Sequence, residues 1–280
     1  MSTESAFPQI PRFLYGTAWK EDATERCVEN ALKAGFRGID TANQRMHYYE
    51  EGVGKALQSV YAQGLLTRAD VFLQTKFTSR GGQDHRLPYD SNAPLATQVQ
   101  QSFAKSLEHL GTDKIDSYVL HGPSTRLGLN HEDWEIWREM EALYRQEKVR
   151  YLGVSNVNLD QLRALCEEAS VKPSFVQNRC FAKMMWDKNV REYCRIHGVT
   201  YQGFSLLTAN SQIFKDPRFQ EIGRRTGKTL AQLVFRFALS VGMQPLTGTT
   251  DPLHMREDLQ ALTFELSPED VAIIEKLEVA

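Results

Sequence analysis

Cysteine is scarce and scattered. The chain of 280 residues holds four, Cys27, Cys166, Cys180 and Cys194. None forms a Cys-x-x-Cys pair or sits at Cys/His ligand spacing, so a metal site finds no support and a reduced, cytoplasmic protein is expected. Charge of one sign is also missing as a block. The 33 basic and 35 acidic residues are interspersed and leave a net charge of −2, which excludes the basic stripe that nucleic acid or an anionic membrane would need. No apolar run approaches the roughly 20 residues of a membrane helix. The first eleven residues have neither the basic start nor the apolar core of a signal peptide. No Gly/Ser-rich linker or shift of composition divides the chain, so one domain over residues 1–280 is expected. A Gly-x-Gly-x-x-Gly turn is absent too, since the first strand candidate runs into Gly16-Thr-Ala-Trp19.

What is present is alternation. Short apolar strands are predicted at 11–16, 36–40, 71–76, 117–121, 150–154, 174–178, 199–204 and 244–247, with amphipathic helices at 22–33, 51–62, 95–110, 132–146, 159–168 and 268–277. Eight such strands favour an α/β fold of the (β/α)8 TIM-barrel type over an open doubly wound sheet. In a barrel, chemistry collects at the carboxyl ends of the strands. Taken in order, those ends carry Trp19; Asp40 and Tyr48; Lys76; His121; Ser155 and Asn156; Gln177 and Asn178; Ser205; and Thr247-Gly-Thr-Thr250. Singly, each has an ordinary reading: Lys76 as a surface lysine, His121 as a satisfied core histidine, Trp19 as a plug. Polar groups converging from every strand are much harder to explain that way.

The central stretch is Phe36-Arg-Gly-Ile-Asp40-Thr-Ala-Asn-Gln-Arg-Met-His47-Tyr48-Tyr49-Glu-Glu-Gly-Val-Gly54. It resembles the signature of the aldo-keto reductase family, in which a strand ends in Asp-Thr-Ala and a tyrosine precedes Glu and Val-Gly; the resemblance runs along nearly the whole chain. The family usually places its tyrosine five residues after the Asp, where this chain has Arg45; two extra residues are inserted before Gly54, and counting back from that glycine reaches His47, next to Tyr48. The resemblance implies a catalytic tetrad of Asp40, Tyr48, Lys76 and His121, with Tyr49 as the alternative acid. Hydride transfer to a carbonyl builds charge on its oxygen, which must be held and protonated. A tyrosine begins with a pKa of about 10. Lys76 is expected to lower that value, Asp40 to orient Lys76, and His121 to position the carbonyl with Trp19 nearby.

The same resemblance implies a nicotinamide cofactor held by Gly16, Thr17, Ser155, Asn156, Gln177 and Ser205, with Phe204 nearest to a stacking position. Thr249, Thr250, His254 and Glu257 would lie towards its adenosine end. Gly248 and His254 stand where relatives carry cations for the 2′-phosphate, so NADP(H) is favoured over NAD(H) only through Thr249, Thr250 and Arg256. The long C-terminal loop of many relatives is missing before Ala280, which predicts an open pocket walled by Trp19 with Trp186 or aromatics of residues 78–94. A monomeric reductase of small carbonyl compounds follows, with no nucleic-acid or membrane partner. Its competitors are a nicotinamide-binding regulatory or scaffold subunit and a barrel lyase or isomerase without a redox cofactor.

Overall fold

The computed structural model describes residues 9–277; the expectations for residues 1–8 and for Ala280 fall outside that range. Eight parallel strands pair in chain order: β1 Leu14–Gly16, β2 Gly38–Asp40, β3 Phe72–Phe77, β4 Ile115–Leu120, β5 Val149–Ser155, β6 Phe175–Arg179, β7 Thr200–Phe204 and β8 Met243–Thr247. Pairing of β1 with β8 closes them into a barrel. All eight predicted strands are present, within one to three residues at their starts.

Among the described residues ten α-helices surround them: α1 Thr24–Ala34, α2 Glu50–Ala62, α3 Leu95–Leu110, α4 His131–Arg145, α5 Leu159–Glu168, α6 Lys188–His197, α7 Pro217–Thr226, α8 Leu230–Ser240, α9 Pro252–Leu259 and α10 Pro268–Glu275. The sequence reading did not name α6 to α9. Helices α6 and α7 bury only three and two residues respectively, so few apolar residues announce them. Among the described residues no helix is long and apolar enough to cross a membrane, and no cluster of metal-ligating side chains occurs.

Alternate residues of each strand point into the barrel. Leu14, Phe72, Phe175 and Leu246 form an inner apolar cluster with Tyr151 and Phe204 packed against it. The barrel also holds amides. Gln74 and Gln202 exchange hydrogen bonds, Gln177 donates to Gln202, and Gln202 donates to Gln244. Each of these four glutamines is buried, and a buried amide is tolerated only when its partners are supplied.

The loop that carries Tyr48 is fixed from below by Glu50, the first residue of α2. Its buried carboxylate accepts hydrogen bonds from Thr75 of β3 and Ser106 of α3 and pairs with His109. Burial lowers the His109 pKa, but the Glu50 hydrogen bond and the nearby acids outweigh it and leave the value raised. Gly54 makes the approach possible: a Cβ there would lie 1.9 Å from the His109 carbonyl oxygen. A side chain of any kind would push α2 off α3, and Glu50 with it.

Candidate active site

Asp40 ends β2 and Lys76 lies one residue before the end of β3, both inside the barrel. Lys76 Nζ is 2.7 Å from each Asp40 carboxylate oxygen and 2.8 Å from the Thr41 carbonyl. Asp40 Oδ1 also accepts hydrogen bonds from the side-chain amides of Gln74 and Gln177, at 2.8 and 3.0 Å. A buried charge without partners would be costly; here both charges are paired and hydrogen-bonded. Burial pulls the Lys76 pKa down while Asp40 works against it.

The loop after β2 brings Tyr48 over this pair. Lys76 Nζ is 5.1 Å from the centre of the Tyr48 ring, and the His121 ring meets it edge-on at 5.9 Å. The Tyr48 hydroxyl makes no hydrogen bond to the described residues and is not among the buried unpartnered atoms, so it opens to the site. Tyr49 faces elsewhere. Its ring is stacked by the Arg45 guanidinium at 4.5 Å and lies against Gly52, at the start of α2.

One expectation is corrected. Lys76 does not leave the phenol with a depressed pKa; burial, and then the Asp40 charge, raise it. Loss of solvent around the ring is the larger of the two causes, and the Asp40 carboxylate adds to it. Tyr48 is therefore fully protonated at neutral pH. His121 is held in the opposite sense, with a pKa lowered to about 3 by burial and then by Lys76 and His47, and its imidazole is neutral.

Among the residues other than glycine with left-handed backbone are Trp19 with φ 61°, Asn156 with φ 57° and Ser205 with φ 55°. They follow β1, β5 and β7, and such conformations collect at functional sites. Trp19 is 71 % exposed and packs on His47 with tilted rings whose centres are 4.0 Å apart. Trp186 is not exposed at the rim. It is buried against Phe237 and donates from Nε1 to the Ile274 carbonyl. Tyr89, the aromatic of the 78–94 loop, is also turned inward, packing on Phe77 and donating to the Thr78 carbonyl.

The other residues named from the sequence form the wall from β5 round to β1. Ser155 Oγ donates to the Gln177 carbonyl, and Asn156 Nδ2 donates to the His121 carbonyl and to Ser155 Oγ. The Gln177 amide nitrogen is engaged by Asp40 and Gln202, leaving its oxygen for other partners. Thr17 Oγ1 donates to the Asp40 carbonyl beside Gly16, and Phe204 is half-buried at the end of β7. Thr249 Oγ1 receives the Asp251 amide, Thr250 and His254 are exposed, and the Glu257 carbonyl receives the Gln232 amide.

Two cations went unremarked in the sequence. Lys20 is buried, with Nζ 2.8 Å from the Gly248 carbonyl and 3.4 Å from where a Gly248 Cβ would be. Burial lowers its pKa to about 8. Arg179 ends β6 two residues beyond Gln177, on the same inward face, with Nε 3.3 Å from Ser205 Oγ. Neither has a carboxylate partner among the described residues. The one sequence signal was position: a lysine next to Trp19, and an arginine closing an apolar strand.

Comparison with known proteins agrees with this fold. Residues 14–279 match the sequence profile of the Aldo/keto reductase family. An aldo-keto reductase of Mycobacterium sp. (strain JLS) is 30% identical over 277 residues, covering 99% of this chain and 91% of its own length. A glyoxal reductase of Bacillus subtilis is 28% identical over 271 residues, covering 96% and 89%. Among solved structures, an aldo/keto reductase from Brucella melitensis superposes with a TM-score of 0.80 at 29% identity, covering 96% of this chain and 95% of that one. A Bombyx mori aldo-keto reductase in complex with NADP shares the fold, with a TM-score of 0.80 at 23% identity over 95% and 89% of the two chains. The chain thus belongs to the aldo/keto reductase family of oxidoreductases.

Proposed function

We propose that the protein reduces a small aldehyde or ketone with NADP(H), with Tyr48 as general acid. The observation that carries this reading is one accessible phenol set over a buried ammonium–carboxylate pair and beside a neutral imidazole.

The residues present fit a nicotinamide dinucleotide. Lys20 and Arg179 are cations without acid partners on either side of Ser205, which suits a polyanionic diphosphate. Because both cofactors carry that diphosphate, the preference for NADP(H) over NAD(H) rests on Thr249, Thr250 and Arg256. Ser155, Asn156 and the free oxygen of Gln177 would hold the carboxamide. Thr249, Thr250, His254 and Glu257 would lie along the adenosine end.

A bound nicotinamide supplies the hydride that reaches the carbonyl carbon. Negative charge then grows on the carbonyl oxygen, where the Tyr48 hydroxyl and the His121 imidazole converge as donors. Tyr48 gives up its proton to that oxygen. As the phenolate forms, Lys76 at 5.1 Å from the ring stabilises it, and Asp40 holds Lys76 in place. Trp19 and His47 shield one side of the reacting carbon.

The test is to follow NADPH and NADH absorbance with a panel of aldehydes. Glyoxal and methylglyoxal come first, because relatives are named glyoxal reductase and methylglyoxal reductase. Oxidation of NADPH by the unmodified protein and its loss in Tyr48→Phe is the expected result. Tight cofactor binding with no turnover on any carbonyl would favour the scaffold reading instead.

A further inference from the structure

His121 and Thr78 are neighbours at the top of the barrel. Lys76 of β3 lies opposite Val119 of β4, and two residues further along each chain come Thr78 and His121. Thr78 Oγ1 is 2.7 Å from His121 Nδ1. Thr78 is 4% exposed, and its hydroxyl has no other partner among the described residues. A neutral imidazole carries one proton, on either Nδ1 or Nε2.

The two placements are not equivalent. With the proton on Nε2, the Thr78 hydroxyl donates to Nδ1, and both atoms are satisfied. With the proton on Nδ1, Thr78 must accept, and its own hydrogen is left buried without an acceptor. Only the first arrangement turns a donor into the site, because Nε2 has no protein partner and is not among the buried unpartnered atoms. We infer that Thr78 is a positioning residue that fixes His121 in the Nε2–H form and so makes it a donor to the substrate oxygen. The inference rests on the carbonyl-reductase reading for its purpose, but the tautomer itself does not depend on turnover.

Thr78 has a separate structural duty, which a variant can spare. Its backbone carbonyl receives Tyr89 and Gln83, and these bonds remain when only the side chain changes. Thr78→Val removes the hydroxyl and keeps the shape, while Thr78→Ser restores the hydroxyl. Nitrogen-15 NMR of histidine-labelled protein near neutral pH reads the tautomer, and the signal among the seven histidines is assigned by its loss in His121→Gln. The unmodified protein and Thr78→Ser should show the proton on Nε2, and Thr78→Val a mixture. In steady-state reduction, Thr78→Val should lower kcat by roughly five- to tenfold, the scale of one hydrogen bond, with KM for the cofactor unchanged and Thr78→Ser near normal. A proton on Nδ1 in the unmodified protein overturns the inference, as does Thr78→Val with an unchanged tautomer or an unchanged kcat. Correct tautomers in a protein that reduces no carbonyl would support the role of Thr78 in fixing His121 and refute the reductase reading instead.

Discussion

The two walls of the site are built on opposite plans. On the β2 to β4 side the charges are engaged: Lys76 has three oxygen partners, and Asp40 receives Lys76, Gln74 and Gln177. On the β6 to β1 side, Lys20 and Arg179 face no carboxylate among the described residues, and the exposed side chains of Thr250, His254 and Arg256 make no hydrogen bond or ion pair to those residues. A group that meets charge during a reaction must be oriented before the charge appears. A wall that receives a charged molecule must instead keep its own charges unneutralised until that molecule arrives.

The contrast is broken most severely at Tyr48. Tyr48→Phe should lower carbonyl reduction by about a hundredfold to ten-thousandfold, the usual contribution of a positioned acid. Cofactor binding, measured by fluorescence titration, should stay near normal. Tyr49→Phe should be mild, since that ring serves Arg45 and α2. The reverse result would move the acid to Tyr49.

Lys76→Met comes next, with losses in both activity and stability. It strands the Asp40 carboxylate, and removing one partner of a buried pair costs about 3 to 5 kcal/mol. Thermal unfolding should show the drop. A lost activity with an unchanged melting temperature would mean that the two glutamine amides suffice for Asp40.

The receiving wall responds to pH. Lys20, with its pKa lowered to about 8, is charged below that value and loses its charge as pH rises through it. An anionic ligand favours the charged form, so NADPH affinity should be full at pH 7 and fall above about pH 8. Lys20→Met should weaken binding by about tenfold to a hundredfold, the range of a charge-assisted contact, and flatten the pH dependence. A slope that survives the substitution would assign it to another group.

The smallest change is expected from Gly248→Lys. A Cβ at this position is already 3.4 Å from Lys20 Nζ, so the new ammonium would meet a like charge. The NADPH to NADH affinity ratio should rise less than tenfold. A larger rise would show that the two lysines can serve one phosphate together.

These walls were not equally legible in the sequence. Asp40, Lys76 and His121 are placed by local pattern, because each stands at or beside the end of its own short apolar run. Lys20 and Thr78 acquire their roles from partners 228 and 43 residues away, and no local pattern carries that information. The raised pKa of Tyr48 was misjudged for a related reason. The residue types predicted a lysine beside a phenol, but not how deeply the ring would be buried or that the Asp40 charge would also act on it. Gln177 was legible at its strand end, but Gln74, Gln202 and Gln244 were hidden by the strands' apolar flanks, which mark burial without saying which side chains face the barrel axis.

Those glutamines also bear on how the chain matures. Asp40 draws its side-chain donors from 34, 36 and 137 residues along the sequence. Contacts of such separation form late, because the intervening chain must first be ordered. A nascent chain that has emerged only through β5 already contains Asp40, Tyr48, Lys76 and His121, yet it lacks Gln177 and the Gln202 that braces Gln74. The full set of donors around Asp40, with the Gln202 brace on Gln74, is therefore present only once β7 has been made.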